Sequence, residues 1–226
     1  MYKIETHLHT LYGAGCGKME EKEIVSRYLD AGYAAVVVTD HYNRRTNWYP
    51  EFCADRSQNA AVLFLRGFRK VQEEGARRGL RVYKGAELRF DESINDFLLY
   101  NYDDALLDDP EELLGMGLKR FYERASAQGA LLLQAHPCRS SSQPPCFPAD
   151  TRFLDGVEVR NGNPRADNHN DLALELARKD ARLLALSGSD CHEPQDVARG
   201  GIELEILPEN ERQLCELLRA RKYRLL

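Results

Sequence analysis

Five of the six histidines, His7, His9, His41, His136 and His192, stand at or just past the carboxyl ends of apolar runs, and Glu87 and Asp190 share that placement. Residues two apart on a strand point to one side, so His7-Leu8-His9 aims two imidazoles at one place while Leu8 faces away. Asp190-Cys191-His192 repeats the geometry with a carboxylate and an imidazole. Glu87 ends a largely apolar run behind Gly85-Ala86, where a lone buried carboxylate is costly unless paired or bound to metal. Any one of these histidines alone reads more readily as a satisfied core or surface residue. Together they form a donor set for borderline and hard divalent cations, with too many donors for a single ion. Asp40 and His41 are adjacent and cannot both point inward from a regular strand, so His41 is expected to ligate and Asp40 to orient an imidazole from behind. His169, in Asn168-His169-Asn170, reads as a capping or solvated residue and stays outside the set.

These donors meet only if the strands that carry them run side by side in one direction. Apolar runs at Tyr2 to His7, Ala35 to Asp40, Arg81 to Glu87, Asp96 to Tyr100, Ala130 to His136, Gly156 to Arg160 and Arg182 to Ser189 predict seven strands. Apolar residues at three- and four-residue spacing predict helices between them, around Ile24 to Leu29, Val62 to Val71, Leu114 to Ala125, Leu172 to Leu176 and Leu214 to Leu218. Gly32, Gly79 and Gly129 sit where helices would stop. Such alternation predicts an α/β fold of parallel strands, either an open doubly wound sheet or a closed barrel, in one domain spanning residues 1–226. Two long connections follow predicted strand ends. Tyr42 to Asn59 holds Trp48, and Cys138 to Phe153 holds Ser140-Ser141-Ser142 and Pro144-Pro145; loops so placed are commonly lids or substrate contacts.

Composition narrows the functions available. Of 226 residues, 31 are Lys or Arg and 36 Asp or Glu, a net charge of −5 without any block of one sign. That predicts neither duplex nucleic acid nor an anionic membrane as partner, although bound cations could still attract a phosphorylated ligand. No apolar run approaches a membrane span and no secretory leader opens the chain, so a cytoplasmic protein is expected, with its six cysteines as thiols. Gly13-Ala14-Gly15-Cys16-Gly17-Lys18 suggests a phosphate loop, but Tyr12 and Met19 break the Walker pattern and Lys18 breaks G-x-G-x-x-G. A flexible loop beside the metal pocket is the better account. Oligomeric state has no signal.

In order and spacing, His7-Leu8-His9-Thr10, Thr39-Asp40-His41, Gly85-Ala86-Glu87, Ala135-His136-Pro137 and Gly188-Ser189-Asp190-Cys191-His192 resemble the motifs of the PHP (polymerase and histidinol phosphatase) family of metal-dependent phosphoesterases. The resemblance implies a distorted (β/α)7 TIM-like barrel with two or three divalent ions, zinc, manganese or iron, at its carboxyl end. Carried over residue by residue, one ion would bind His7, His9, Glu87 and Asp190, a second would share Glu87 and bind His136, and a third would take His41 and His192. The sequence departs from the pattern twice. Cys16 stands where a further Asp or His usually does; if it ligates, its softness favours zinc or iron there, and if not, the third ion is weakly held or absent. Asp96 stands near where the family often has a histidine, and either substitutes for it or merely turns the chain.

The activity so implied is hydrolysis of a phosphate ester, most readily of a small phosphorylated substrate. Two close cations would lower the pKa of a bridging water to about 7, and the hydroxide would attack phosphorus in line. His192, His41 or a metal-bound water would protonate the leaving group, beside Asp190. Arginines near strand ends, Arg44, Arg89 and Arg160 foremost and also Arg45 and Arg139, are candidates to grip phosphate oxygens. Two rivals stand beside this reading: an amidohydrolase-type C–N hydrolase, and a metal-binding domain without catalysis.

Overall fold

Runs of Val, Leu and Ile flanked by turn residues pair into one sheet of β1 (Tyr2–Leu8), β2 (Tyr33–Val38), β3 (His41–Tyr42), β4 (Arg81–Leu88), β5 (Phe97–Tyr100), β6 (Leu131–Gln134), β7 (Gly156–Asn161), β8 (Leu184–Gly188), β9 (Ile202–Leu204) and β10 (Tyr223–Leu225). The computed structural model describes residues 1–13, 15–139 and 147–226. Ala14 of the glycine-rich loop, and Ser140 to Cys146 with the serine and proline runs of the second long connection, lie outside the described residues. The helices are α1 (Glu21–Asp30), α2 (Trp48–Ala54), α3 (Ala60–Phe64), α4 (Arg66–Arg78), α5 (Pro110–Met116), α6 (Leu118–Ser126), α7 (Asn170–Lys179) and α8 (Glu211–Arg219). Local chemistry sets several of their ends. Asp109 accepts from the Glu112 amide ahead of Pro110, and Gly79, at φ 86°, ends α4 in the left-handed conformation expected of it.

The strand order is β10-β9-β1-β2-β4-β5-β6-β7-β8, with β3 also on β4. The barrel closes between β1 and the exit of β8, where Leu8 bridges Cys191: Cys191 N donates to His7 O (3.1 Å) and His9 N to Cys191 O (2.9 Å). The sheet is thus nearly closed, a distorted TIM-like barrel, and the seven expected strands are β1, β2 and β4 to β8. Between the sheet and most helices lies one apolar cluster, including Leu8, Tyr28, Val36, Val38, Trp48 and Phe121. A second, including Ile4, Val37, Tyr83, Leu133 and Leu186, takes in α8 through Leu214 and Leu218.

Uniformly parallel pairing does not hold. β5 runs antiparallel to both β4 and β6, because residues 89–96 are too few for a crossover, which takes about a dozen residues or more. This reversal matters for the site. Leu88 pairs with Phe97, so Asp96, just ahead of β5, sits at the same end of the barrel as Glu87. The first long connection is partly helical, and its aromatics pack it down. Trp48 and Phe52 are buried, and the Trp48 indole donates to His41 O (3.1 Å) and lies 4.6 Å from the Tyr42 ring.

Cysteine chemistry needs one correction. Cys16, Cys53, Cys191 and Cys215 are free thiols, but Cys138 is disulfide-bonded. Pairing depends on which Cβ atoms the fold brings within about 4 Å, which spacing along the chain does not reveal. Such bonds persist chiefly in oxidising compartments, so the cysteines give no support to a cytoplasmic location. No helix among the described residues is long and apolar enough to cross a membrane.

Candidate metal centre

Glu87 occupies the middle of the cluster. It is fully buried at the end of β4, beside His41 of β3 in register. Its Oε2 lies 2.8 Å from His41 Nδ1, 3.2 Å from His9 Nε2 and 3.4 Å from His7 Nε2, and its Oε1 lies 3.0 Å from His136 Nε2. Asp190, at the exit of β8, puts Oδ1 3.1 Å from His9 Nε2 and 3.4 Å from His7 Nε2. His192 Nδ1 donates to Asp190 O (2.9 Å), and its ring centroid is 4.2 Å from that of His9, which is 4.4 Å from His41. Among the described residues, three groups of donor atoms are each mutually within 4.8 Å: His7, His9, Glu87 and Asp190; His41, Glu87 and Asp96; and His9, His41 and His192.

These residues fit cations. His7 Nε2, His9 Nε2, His41 Nδ1 and Glu87 Oε2 are buried and lack an aligned hydrogen-bond partner, a costly state unless something else engages them. Charge points the same way. Burial alone would raise the Glu87 carboxyl, but His41 and His7 hold it well below the usual carboxylate range; His7 and Arg139 do the same for Asp190 against its burial. Burial opposes charging of His7 and His41, yet the carboxylates (Glu158, Asp190 and Glu87 around His7, Glu87 at His41) raise both well above the ordinary imidazole value. His192, buried and facing His9, is pushed down to about 2. Protons drawn onto His7 and His41 occupy the electrostatic role a divalent cation fills, and binding one would release them.

The remaining expected residues are placed unevenly. Asp96 has His41 and Glu87 within reach but is also held by Arg89, through Nε at 2.7 Å and a second bond from Nη2. Cys16 is exposed at the rim. The loop around it is fixed by Lys18 N donating to His192 O (2.8 Å) and by the close approach of Gly17 to the Thr10 carbonyl, and the thiol neighbours His41. Asp40 does not orient an imidazole; it accepts from Thr10 N (2.6 Å) and Thr10 Oγ1 (2.7 Å), locking the turn after His9. His169 caps α7 at φ 41°, away from the cluster. Of the arginines, Arg44 is drawn off by Asp91 and Glu111, whose carboxylates meet its guanidinium at 2.5–2.8 Å, and Arg160 is exposed. Arg45, Arg89 and Arg139 instead line a cavity of about 400 Å³ walled also by Asp96, His136 and Phe147.

Sequence reasoning overlooked the supports. Arg139 pairs with Asp190 Oδ2 and is itself held by Asn161 and Asn168 (both 2.9 Å), while Asn163 donates to Asp190 O (2.8 Å). Glu5 Oε1 accepts from the backbone amides of Thr6, His7 and Ser189, each at 2.9 Å, tying β1 to the exit of β8. Glu158 of β7 meets His7 Nδ1 at 3.0 Å. The available signal was an acidic residue inside each apolar run, Tyr2 to Leu8 and Gly156 to Val159. His136 and Asp190 carry φ of 26° and 50°, strained for non-glycine residues and a recurrent mark of functional positions.

The PHP domain family model matches residues 5–219. A two-domain protein from Bacteroides vulgatus ATCC 8482 containing a predicted PHP-like metal-dependent phosphoesterase superposes with a TM-score of 0.72 at 18% identity, over 100% of this chain and 64% of that one. The lesion-specific endonuclease EndoQ of Pyrococcus furiosus superposes with a TM-score of 0.62 at 11% identity, over 99% and 57%. An amidohydrolase from Chromobacterium violaceum does so with 0.58 at 17%, over 99% and 97%. The chain therefore spans less than two thirds of the length of the first of these neighbours. No curated protein matches the sequence.

Proposed function

The chain belongs to the PHP family, and on that premise we propose that it hydrolyses a small phosphomonoester with two or three divalent ions, zinc, manganese or iron, held by His7, His9, Glu87, Asp190, His136, His41, Asp96 and His192. The observation that carries the reading is the set of buried, unpartnered donor atoms converging on Glu87. Cys16 joins His41 and His192 as the softer donor at the rim. Bound ions supply an activated water and positive charge against the phosphoryl oxygens.

The chain's own residues do the rest. Glu87 and Asp190 hold negative charge at the base of the site, while Arg45 and Arg89, at the cavity beside His136, receive the phosphate oxygens. Arg139 is committed to Asp190 and acts by fixing that carboxylate. His192 is kept neutral by its burial and by His9, so it ligates or accepts a proton rather than donating one from a standing imidazolium. His41 would protonate the leaving group only where it is left out of the ligand set, because coordination through Nδ1 releases the proton that Glu87 draws onto it.

The test is release of nitrophenol from p-nitrophenyl phosphate by protein stripped of metal and restored with manganese or zinc, with bis(p-nitrophenyl) phosphate in parallel. Metal-dependent turnover favouring the monoester and lost in His9→Ala is the expected outcome. Turnover of a lactone or cyclic amide, with neither ester cleaved, would replace the reading with an amidohydrolase.

The arginine assignment has its own outcome. Arg89→Ala should raise KM for the monoester about tenfold, equivalent to about 1.4 kcal/mol, whereas Arg44→Ala and Arg160→Ala should leave it unchanged. Equal KM values in all three variants would remove Arg89 from the substrate site.

A further inference from the structure

Glu158 touches two of the candidate ligands and belongs to none of the three donor groups. Its Oε1 lies 3.0 Å from His7 Nδ1, and its Oε2 accepts from the His136 backbone amide (2.9 Å) and from Asn161 Nδ2 (2.8 Å). Glu158, His7 and Asn161 are buried, and His136 is half-buried. Residues 7, 136 and 158 come from β1, the turn after β6, and β7, so the carboxylate crosses between three parts of the barrel. The fold makes room for it. A Cβ on Gly188 would stand 2.6 Å from His7 Cβ and 2.8 Å from Glu158 Oε1, so only glycine lets β8 pass here.

We infer that Glu158 is a positioning residue that sets the tautomer of His7 and holds the strained backbone of His136. This rests on the metal-centre reading above and adds how two of its ligands are prepared. An ionised carboxylate only accepts hydrogen bonds, so His7 must carry its proton on Nδ1 and present the Nε2 lone pair to the ion. Nε2 is the atom that faces Glu87 and Asp190 at 3.4 Å and has no partner of its own. On its other oxygen, the same carboxylate engages the amide of His136 at φ 26°, a conformation that persists only when neighbours impose it.

Glu158→Gln separates this role from bulk packing, because the amide is the same size but has one acceptor end and one donor end. Turned with oxygen toward His136 and Asn161, it keeps two hydrogen bonds and offers its N–H to His7 Nδ1. That orientation makes Nδ1 an acceptor and moves the His7 proton to Nε2, closing the lone pair to metal. The opposite orientation sets the amide N–H against two donors and is the costlier one.

Two measurements test the inference, neither using a phosphate ester. Zinc affinity, from competition with a chromophoric chelator, should fall about 10- to 100-fold in Glu158→Gln while far-UV circular dichroism is unchanged. Nitrogen-15 spectra should show His7 protonated at Nδ1 in the zinc-loaded parent protein and at Nε2 in metal-free Glu158→Gln. Unchanged zinc affinity in a folded variant, or an Nε2-protonated His7 in the zinc-loaded parent protein, overturns the assignment. If the variant fails to fold, the tautomer in the parent protein decides alone. Tight zinc binding with the expected tautomer but no ester hydrolysis would sink the proposed activity and leave this inference standing.

Discussion

Glu87→Ala is expected to reduce metal-dependent hydrolysis of p-nitrophenyl phosphate at least 10³-fold, a loss of about 4 kcal/mol in transition-state stabilisation. Its two oxygens lie within 3.4 Å of His7, His9, His41 and His136, so it touches four of the candidate ligands at once. Removing it deletes a donor from two of the three groups and leaves those imidazoles facing one another without a shared counter-charge. Metal content by mass spectrometry should fall with activity, and circular dichroism should show whether the barrel survives. A folded Glu87→Ala protein that keeps its metal and its turnover would dismiss the site. An unfolded metal-free variant, with no activity to lose in the parent protein, would support the noncatalytic domain instead.

Stripping the metal should lower the melting temperature by about 10 °C, the second large effect. An ion present at 1,000 times its dissociation constant stabilises the folded state by about 4.1 kcal/mol. For a chain of this size each kcal/mol corresponds to about 2–4 °C. The origin is local. Without an ion, buried His7 Nε2, His9 Nε2, His41 Nδ1 and Glu87 Oε2 lack partners, and protons drawn onto His7 and His41 are the remaining way to balance Glu87 and Asp190. Differential scanning calorimetry of chelated and zinc-restored protein measures the gap, and the gap should shrink in His9→Ala. It should also shrink as pH falls, because raised histidine pKa values mean that protons compete with the ion through a wider acidic range. Equal melting temperatures with and without zinc would show that no ion is tightly held.

Much of this centre was visible in residue types and short spacings. His7-Leu8-His9 and Asp190-Cys191-His192 declare themselves because strand periodicity is local, and an imidazole at the end of an apolar run needs an explanation wherever the run leads. Partnership is different in kind. The Glu158–His7 bond joins residues 151 apart, and nothing near either one says whether a buried carboxylate will face a metal, an arginine or a histidine. Arg44, Arg89 and Arg139 make the same point. All lie near strand ends, yet Arg44 is drawn away by Asp91 and Glu111, while Arg139 and Arg89 both reach the cavity wall, the first bound to Asp190 and the second to Asp96.

Residue order alone determined that an alternating α/β chain would carry its histidines and carboxylates to strand ends, since that follows from periodicities of two and 3.6 residues. It did not determine that β5 would turn back, although the shortness of residues 89–96 left no room for a crossover, and that reversal is what delivers Asp96 to the cluster. Closure between β1 and the exit of β8 then set the distances. It brings Asp190 within reach of His7 and His9, and it makes Gly188 yield space to Glu158. Which atoms come within 3 Å depends on twist, register and packing summed around the whole barrel, and only the tertiary structure carries that sum.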